Sequence, residues 1–430
     1  MTDEELTEDK LIAAYSRSRP GRLGLSPNLW RLATVIAIAQ FSSALWKWEF
    51  GIFLEGFLEP WQIGFVFSIA TFTGLIGSVS SGYIADFIGR KWTISIGFLP
   101  IVLGLFTMSF LPIWPYIAIQ YGLVWFGMST ARLMASVIPA DEIASDDGSN
   151  PARRLMMVMM PLWFVDVLGP FTGSFLMSMG YRSGNLHFIA SIVAIVTFFS
   201  SILLLKESLG KDVIQKARSG PKFSLGKLGR SFWFLALGMI GFNLAWSSSI
   251  PYLGNLSVGP WNVDTVTYGF TWSLFSLTSA IIMYPASLLA DRNLKATLLA
   301  GVIGNALILL WFSQGSGALM MYIINFVWAI PFVLWIGSVK SIIVLVVSEE
   351  VKGRSLGTYD LLMGFVGMTG QILGAAIWEF SGSLRVVYGV AGLIALSTSL
   401  LVFSLLRFIH IPQPNQLELE LKEQMKKLDS

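Results

Sequence analysis

The stretch Gly82-Tyr-Ile-Ala-Asp86-Phe-Ile-Gly89-Arg90-Lys91 is a short, charged, glycine-bearing segment between two long apolar runs. An uncharged run (62–82) leads into it, and a second apolar run (92–111) follows it. An α-helix needs about twenty apolar residues to cross roughly 30 Å of hydrocarbon, so each run is long enough to span a membrane. The segment is therefore predicted to be a tight turn that joins two transmembrane helices.

The whole chain has the composition of a membrane protein. Of its 430 residues, 54% are hydrophobic and only 13% are charged, whereas a soluble domain carries about 25% charged residues. The runs are too long and too uniformly apolar for the strands of a membrane barrel. We therefore predict an all-α polytopic membrane protein with twelve transmembrane helices, at 28–54, 61–82, 92–112, 115–139, 154–179, 186–205, 231–253, 265–289, 296–314, 318–347, 355–380 and 385–409.

The residue types argue against several kinds of chemistry. The chain has no cysteine and two histidines, so disulfides and thiolate metal sites are excluded and a histidine proton relay is disfavoured. It lacks HExxH, Gly-x-Ser-x-Gly and acidic metal-binding clusters, so we do not expect an enzyme, a metal or a cofactor. A net charge of +3 gives no reason to expect binding to nucleic acid.

Positive charges predict the orientation of the chain. Loops on one side carry nearly all the lysines and arginines, whereas the other side carries only Arg182 and Arg385. Because positively charged loops stay in the cytoplasm, both termini are predicted to be cytoplasmic. We expect a monomeric, multi-pass protein of the plasma membrane, surrounded by the lipid bilayer.

One long basic linker divides the chain into two halves. We predict a cytoplasmic N-terminal segment (1–27), a six-helix bundle (28–205), the linker (206–230), a second six-helix bundle (231–409) and a cytoplasmic tail (410–430). The two halves contain an internal sequence repeat: acidic pairs followed by arginines flank the loops after spans four and ten. Further paired features are Ala85-Asp86 with Ala290-Asp291, and Gly169 and Gly173 with Gly370 and Gly374.

Together these features resemble the major facilitator superfamily of secondary transporters. The opening stretch matches the spacing of the family's signature loop, and its copy at Asp291 lacks the second glycine. Gly169-Pro170-Phe-Thr-Gly173 is similar to a motif of the family's proton-driven exporters, and Lys206-Glu207-Ser208 is similar to an element of its sugar porters. An arginine that sugar porters place early in span four is replaced by Gln120. The resemblance implies two pseudo-symmetric six-helix bundles that transport by alternating access, with the substrate near the membrane midplane.

The resemblance also implies that the signature loop is a cytoplasmic gate. Asp86 is expected to pair with Arg90 or to face a helix N-terminus, where the macrodipole favours an anion. Gly82 is expected to let two helices approach closely, and Gly89 to allow the sharp turn. The alternative is a loop that only fixes topology. The predicted gate residues are Gly82, Asp86, Gly89, Arg90, Lys91, Glu142, Arg153, Arg154, Asp291, Glu350 and Arg354.

Five charged residues lie inside predicted spans: Lys47, Glu49, Arg132, Asp166 and Lys340. Such charges cost roughly 2.5–3.5 kcal/mol each on insertion, which marks them as functional candidates. Arg132 and Lys340 occupy equivalent positions in the two halves, about 14 Å from the cytoplasmic boundary. We predict that both bind an anionic substrate group; for Arg132 a fixed salt bridge with Asp166 is the alternative.

Glu49 is the predicted coupling residue. A partly buried carboxylate can exchange protons as a cavity opens, because burial and a nearby cation act on its pKa in opposite directions. Lys47 is two residues away and would point to another helix face. The alternative is a solvated carboxylate near the outer end of the first helix. Glu55 and Glu59 are expected to be external, and Asp360 to be solvated at the cytoplasmic end of span eleven.

Aromatic and amide residues are predicted to complete a substrate pocket. Trp246 is the preferred tryptophan because it precedes the polar stretch Ser247-Ser-Ser249, and Pro251 is expected to loosen that helix. Gln40, Asn243 and Gln371 would add hydrogen-bonding groups. The other tryptophans are either pocket or interfacial residues; they are Trp46, Trp48, Trp272, Trp328 and Trp335.

The predicted function is secondary active transport of a small solute, an organic anion or a sugar, coupled to protons. Export of drugs or amphipathic compounds by proton antiport is the first alternative. A membrane sensor built on a transporter scaffold is the second. The expected partners are a small-molecule substrate, protons and lipid.

Overall fold

A computed structural model describes residues 26–144, 151–207, 228–347 and 352–409. The described residues are almost entirely helical and contain no strand, which confirms the all-α fold class. Nine of their helices are long and apolar enough to cross a membrane. The fourteen helices, numbered in chain order, are α1 (Pro27–Ala44), α2 (Phe50–Glu55), α3 (Pro60–Ile88), α4 (Arg90–Phe110), α5 (Tyr116–Ala144), α6 (Pro151–Ser178), α7 (Ser183–Leu204), α8 (Gly229–Ser249), α9 (Leu253–Val258), α10 (Thr265–Arg292), α11 (Leu294–Gln314), α12 (Gly317–Val346), α13 (Lys352–Ser381) and α14 (Leu384–Leu405).

The first and seventh predicted spans are each broken into two helices. Pro251 was expected to loosen the seventh span, whereas the break in the first span was not predicted from the sequence. The first span turns at 45–49, between α1 and α2. The seventh passes through a 3-10 segment, Ile250–Tyr252, between α8 and α9. Pro251 lies in that segment and has no N–H for a helical hydrogen bond, which explains the second break. If α1 and α2 are counted as one span, and α8 and α9 as another, the fourteen helices correspond to the twelve predicted spans.

Glycines allow neighbouring helices to come close beside both breaks. A Cβ atom on Gly169 would lie 2.3 Å from the Cβ of Ala44, the last residue of α1. A Cβ on Gly374 would lie 1.9 Å from the carbonyl oxygen of Ser248, near the end of α8. The repeated glycines of spans five and eleven therefore pack against equivalent points of spans one and seven.

Gly82 does not have the packing role that the sequence predicted. Among the residues that the structure describes, a Cβ at Gly82 would meet only a methyl group of Leu133, at 4.0 Å. The close approach to span four lies just over one turn earlier, where a Cβ on Gly77 would be 2.5 Å from the Phe126 carbonyl oxygen. Gly77 therefore allows the close helix approach that was expected at Gly82.

The chain forms two compact units by packing. Unit 1 comprises Met1–Lys47, Thr73–Gly173 and Tyr181–Gly220, and unit 2 comprises Trp48–Phe72, Ser174–Gly180 and Pro221–Ser430. Unit 2 thus includes short segments of the first, second and fifth spans together with the second-half helices. The division into halves at the linker stays a prediction, because 208–227 fall outside the described residues.

Candidate functional site

Two cations of unit 1 lie over the same aromatic ring. The Lys47 Nζ atom is 5.1 Å from the centroid of a Trp125 ring, and the Arg132 Cζ atom is 5.4 Å from it. Trp125 and Arg132 are seven residues apart on α5, so they share a helix face. Lys47 comes from the turn that follows α1. Both charged side chains are exposed, although Arg132 lies near the middle of a membrane-length helix.

Asp166 is the carboxylate of this cluster. It lies on α6, is half-buried, and accepts a hydrogen bond from Nε2 of Gln40 on α1. It interacts electrostatically with both Lys47 and Arg132. The structure therefore brings together four residues that the sequence singled out, and Arg132 is both close to Asp166 and exposed. With two cations and one carboxylate, the cluster carries a surplus positive charge.

Glu49 lies in different surroundings from Lys47. It is in the turn between α1 and α2, where only 1% of its surface is exposed, so the solvated alternative is wrong. Lys47 is exposed, and the boundary between unit 1 and unit 2 falls between the two residues. The coupling role of Glu49 stays a prediction.

Lys340 has a charged neighbour that the sequence did not identify. Asp360, on the next helix α13, interacts electrostatically with it, and both side chains are exposed. The preceding residue, Tyr359, is hydrogen-bonded to the side chain of Asn243, whose Nδ2 donates to the carbonyl of Met239. Asp360 is exposed, as expected, and it also lies beside the predicted substrate-binding lysine.

Trp246 is part of a dense aromatic cluster in unit 2. Its ring centroid lies 4.9 Å from that of Trp335, 5.6 Å from that of Trp328 and 5.9 Å from that of Phe332. Trp246, Trp335 and Trp272 are half-exposed, so the cluster presents an aromatic surface. Trp328 is buried and donates from Nε1 to Oδ1 of Asn305.

Some of the predicted pocket residues have packing roles instead. Trp46 and Trp48 are buried, neither lining a pocket surface nor facing lipid, because they lie at the turn where the first span is broken. The Gln371 side chain exchanges hydrogen bonds with Thr71, at 3.0 and 3.1 Å. The Gln371 carbonyl accepts a hydrogen bond from the Tyr252 hydroxyl at 2.6 Å. Gln371 therefore joins α3 and α13 within unit 2.

The signature loop contains the predicted sharp turn. Gly89 has φ 93°, a left-handed conformation that glycine adopts readily. An anion faces the helix N-terminus that follows, as expected, but the residue described there is Glu207. Its carboxylate accepts hydrogen bonds from the backbone N–H groups of Arg90 at 2.8 Å and Lys91 at 3.2 Å.

Several predicted gate side chains fall outside the described residues, so their pairing stays a prediction. Asp291 is described and exposed at the end of α10. The side chains that are not described are those of Asp86, Glu142, Arg153, Arg154, Glu350 and Arg354.

Comparison with solved structures identifies the fold. Neither a protein-family profile nor a curated protein sequence matches the chain. The nucleoside transporter NupG superposes with a TM-score of 0.70 at 13% identity, covering 88% of this chain and 98% of that one. A peptide transporter POT in complex with alafosfalin gives 0.71 at 12% identity, covering 92% and 97%. A POT family transporter in complex with a thioalcohol-conjugated peptide gives 0.72 at 12% identity, covering 92% and 99%. At these identities the likeness shows the architecture alone, and the chain has the fold of the major facilitator superfamily.

Proposed function

We propose that this protein is a secondary active transporter that moves a small organic anion across the membrane by alternating access, coupled to protons. The observation that carries the proposal is the pair of exposed cations, Lys47 and Arg132, over the ring of Trp125. Charges at mid-depth in a membrane are costly and are kept where they bind a substrate, an ion or each other. Since Asp166 can balance only one of the two cations, an anionic substrate is the natural partner for the other.

Asp166 also offers a way to couple substrate to protons. It shares the electrostatic field of both cations, so an ionised Asp166 and a substrate anion compete for them. Protonation of Asp166 frees the cations, and binding of the anion then restores the charge balance. Glu49, buried in the turn of the first span, remains the second proposed proton carrier.

The structural neighbours support transport without selecting a substrate. NupG is a nucleoside transporter, whereas POT is a peptide transporter. The substrate therefore has to be inferred from the charges of this chain. Lys340 interacts with Asp360, so this pair has no surplus charge by itself, and the role of Lys340 in binding substrate stays a prediction.

One observation favours a second candidate, the export of amphipathic compounds. The half-exposed rings of Trp246, Trp272 and Trp335 offer a large aromatic surface of the kind that binds planar apolar groups. The two candidates differ in whether substrate recognition depends on Arg132 or on this surface.

Uptake into proteoliposomes with an inside-alkaline pH gradient tests the proposal. The solutes are radiolabelled hydrophilic carboxylates, each paired with its uncharged amide; hydrophilic acids are chosen because they do not cross lipid by themselves. We expect saturable uptake of at least one carboxylate, loss of that uptake when a protonophore removes the gradient, and no uptake of its amide. Accumulation of neutral sugars or of lipophilic cations, with no carboxylate transported, would contradict anion transport.

A further inference from the structure

Glu55 and Asn255 join the two short helices that follow the breaks. Nδ2 of Asn255, on α9, donates to Oε2 of Glu55, the last residue of α2, at 2.8 Å. The same Nδ2 donates to the carbonyl oxygen of Gly51 at 2.7 Å. Asn255 is fully buried. A Cβ atom on Gly51 would lie 2.5 Å from Oδ1 of Asn255, so only glycine permits this approach.

The position of this contact suggests that it can open and close. Both helices have six residues and are separated from the rest of their spans by a non-helical segment, at 45–49 and at Ile250–Tyr252. Segments joined through such breaks can move as units, since a few residues absorb the change in backbone angles. By the predicted orientation, the contact lies on the extracellular side.

The site lacks one hydrogen-bond donor. Oδ1 of Asn255 is buried and has no hydrogen-bond partner among the residues that the structure describes. An ionised carboxylate accepts hydrogen bonds only, whereas a protonated one also has an O–H to donate. A proton on Glu55 would therefore add the missing kind of group. The Glu55 side chain is exposed as a whole, so the proton can arrive from water.

We propose that Glu55 is a proton-binding site whose protonation favours the contact between α2 and α9 and whose ionisation favours their separation. This deepens the proposed function, and its role in transport rests on that function: a proton taken up outside would favour closure of the extracellular side.

The direction of the Glu55 pKa shift agrees with this proposal. Burial raises the pKa of the Glu55 carboxyl, and the hydrogen bond from Asn255 offsets only part of that increase. The α2–α9 contact thus binds a proton more readily than a solvated glutamate does, so it is stabilised as pH falls. α9 and Ile250–Tyr252 pack against α2; these two segments contain no charged residue, and their one titratable group is the hydroxyl of Tyr252. Phe67 of α3 also packs against Phe50 of α2.

Electron-spin distance measurements test this proposal without a substrate. The chain has no cysteine, so nitroxide labels attach only to an introduced pair, Phe57→Cys beyond α2 and Pro260→Cys beyond α9. We expect the population with the shorter distance to grow several-fold in liposomes when pH falls from about 8 to about 5. Glu55→Gln supplies a donor that does not titrate, so it should hold the short distance at both pH values. Glu59→Gln, four residues on and exposed, is the matched control and should behave like the parent.

Two results would overturn the proposal: a parent whose distances ignore pH, or a Glu55→Gln variant that keeps the parent's pH response. Asn255→Ser provides a second variant in case Glu55→Gln fails to fold, and it should remove most of the pH response. Because no transport is measured, failure here leaves anion transport standing, and absence of transport leaves a pH-dependent contact standing.

Discussion

Lys47 and Arg132 approach one indole ring, that of Trp125, at 5.1 and 5.4 Å. Two like charges that share a ring in the middle of a membrane protein repel each other, and the electron-rich face of the ring reduces that cost. Asp166, held by Gln40, offsets it further. This arrangement keeps two cations in place where a free anion can reach them.

The Trp125 ring is predicted to hold the two cations in position for substrate. Each cation–π contact contributes about 0.5–2 kcal/mol, so Trp125→Leu should raise the KM for the transported carboxylate about 2- to 30-fold. Trp125→Phe keeps an aromatic face and should have a smaller effect. Initial uptake rates over a range of carboxylate concentrations measure both. Equal KM values for the wild type and Trp125→Leu would show that the ring is only a packing residue.

Asp166 is predicted to carry the coupled proton. Asp166→Asn has no carboxylate to protonate, so accumulation driven by a pH gradient should be lost, while exchange of labelled for unlabelled anion should persist. The same pair of assays on Glu49→Gln shows whether the buried carboxylate of the first span shares this role. If Asp166→Asn still accumulates the anion against its gradient, the proton is carried elsewhere.

Gly374 is predicted to be required for packing beside the break in the seventh span. A Cβ there would collide with the carbonyl oxygen of Ser248. Gly374→Ala should therefore destabilise the protein by about 1–3 kcal/mol and lower its Tm in detergent. A Cβ on Gly337, also within a helix, meets no described atom within 4 Å, so Gly337→Ala should leave the Tm unchanged or raise it. Equal Tm values for the two variants would contradict the packing role.

Glu207 is predicted to stabilise the signature loop by capping α4. Its carboxylate accepts hydrogen bonds from two backbone N–H groups at the helix start. Glu207→Ala should cost about 0.3–1 kcal/mol, less at high salt because the interaction is electrostatic. Gly89→Ala should cost more, because alanine is strained at φ 93° and its methyl group would strike Glu207. The Tm of each variant at low and high salt measures both effects.

Features that depend on local chemistry were predicted from the sequence. The turn at Gly89 follows from glycine's freedom in the left-handed region, and the weakness of the seventh span follows from Pro251. The transmembrane helices were predicted from the apolar runs, because each run is long enough to cross a bilayer. Trp125 was missed, although its seven-residue spacing from Arg132 placed it on the same helix face.

Contacts between distant segments could not be predicted in the same way. Glu55 and Asn255 are 200 residues apart, and each looked like an ordinary polar residue near a span end. Asp360 was expected to be solvated and is exposed, but its interaction with Lys340 on the preceding helix could not be predicted from its position in the sequence. The turn at 45–49 contains no proline or glycine, so no residue type predicted it. In these cases the identity of a residue is known from sequence, but its partner depends on how the helices pack.

Uptake of the best-transported carboxylate by wild type and by Arg132→Gln, in matched proteoliposomes with an inside-alkaline gradient, tests the central claim most directly. Arg132→Gln keeps a polar, hydrogen-bonding side chain but removes the charge. We predict that the wild type accumulates the anion and that Arg132→Gln loses at least about tenfold in kcat/KM, with equal amounts of protein in the vesicles. Undiminished uptake by Arg132→Gln would contradict anion recognition by the Lys47–Arg132 pair.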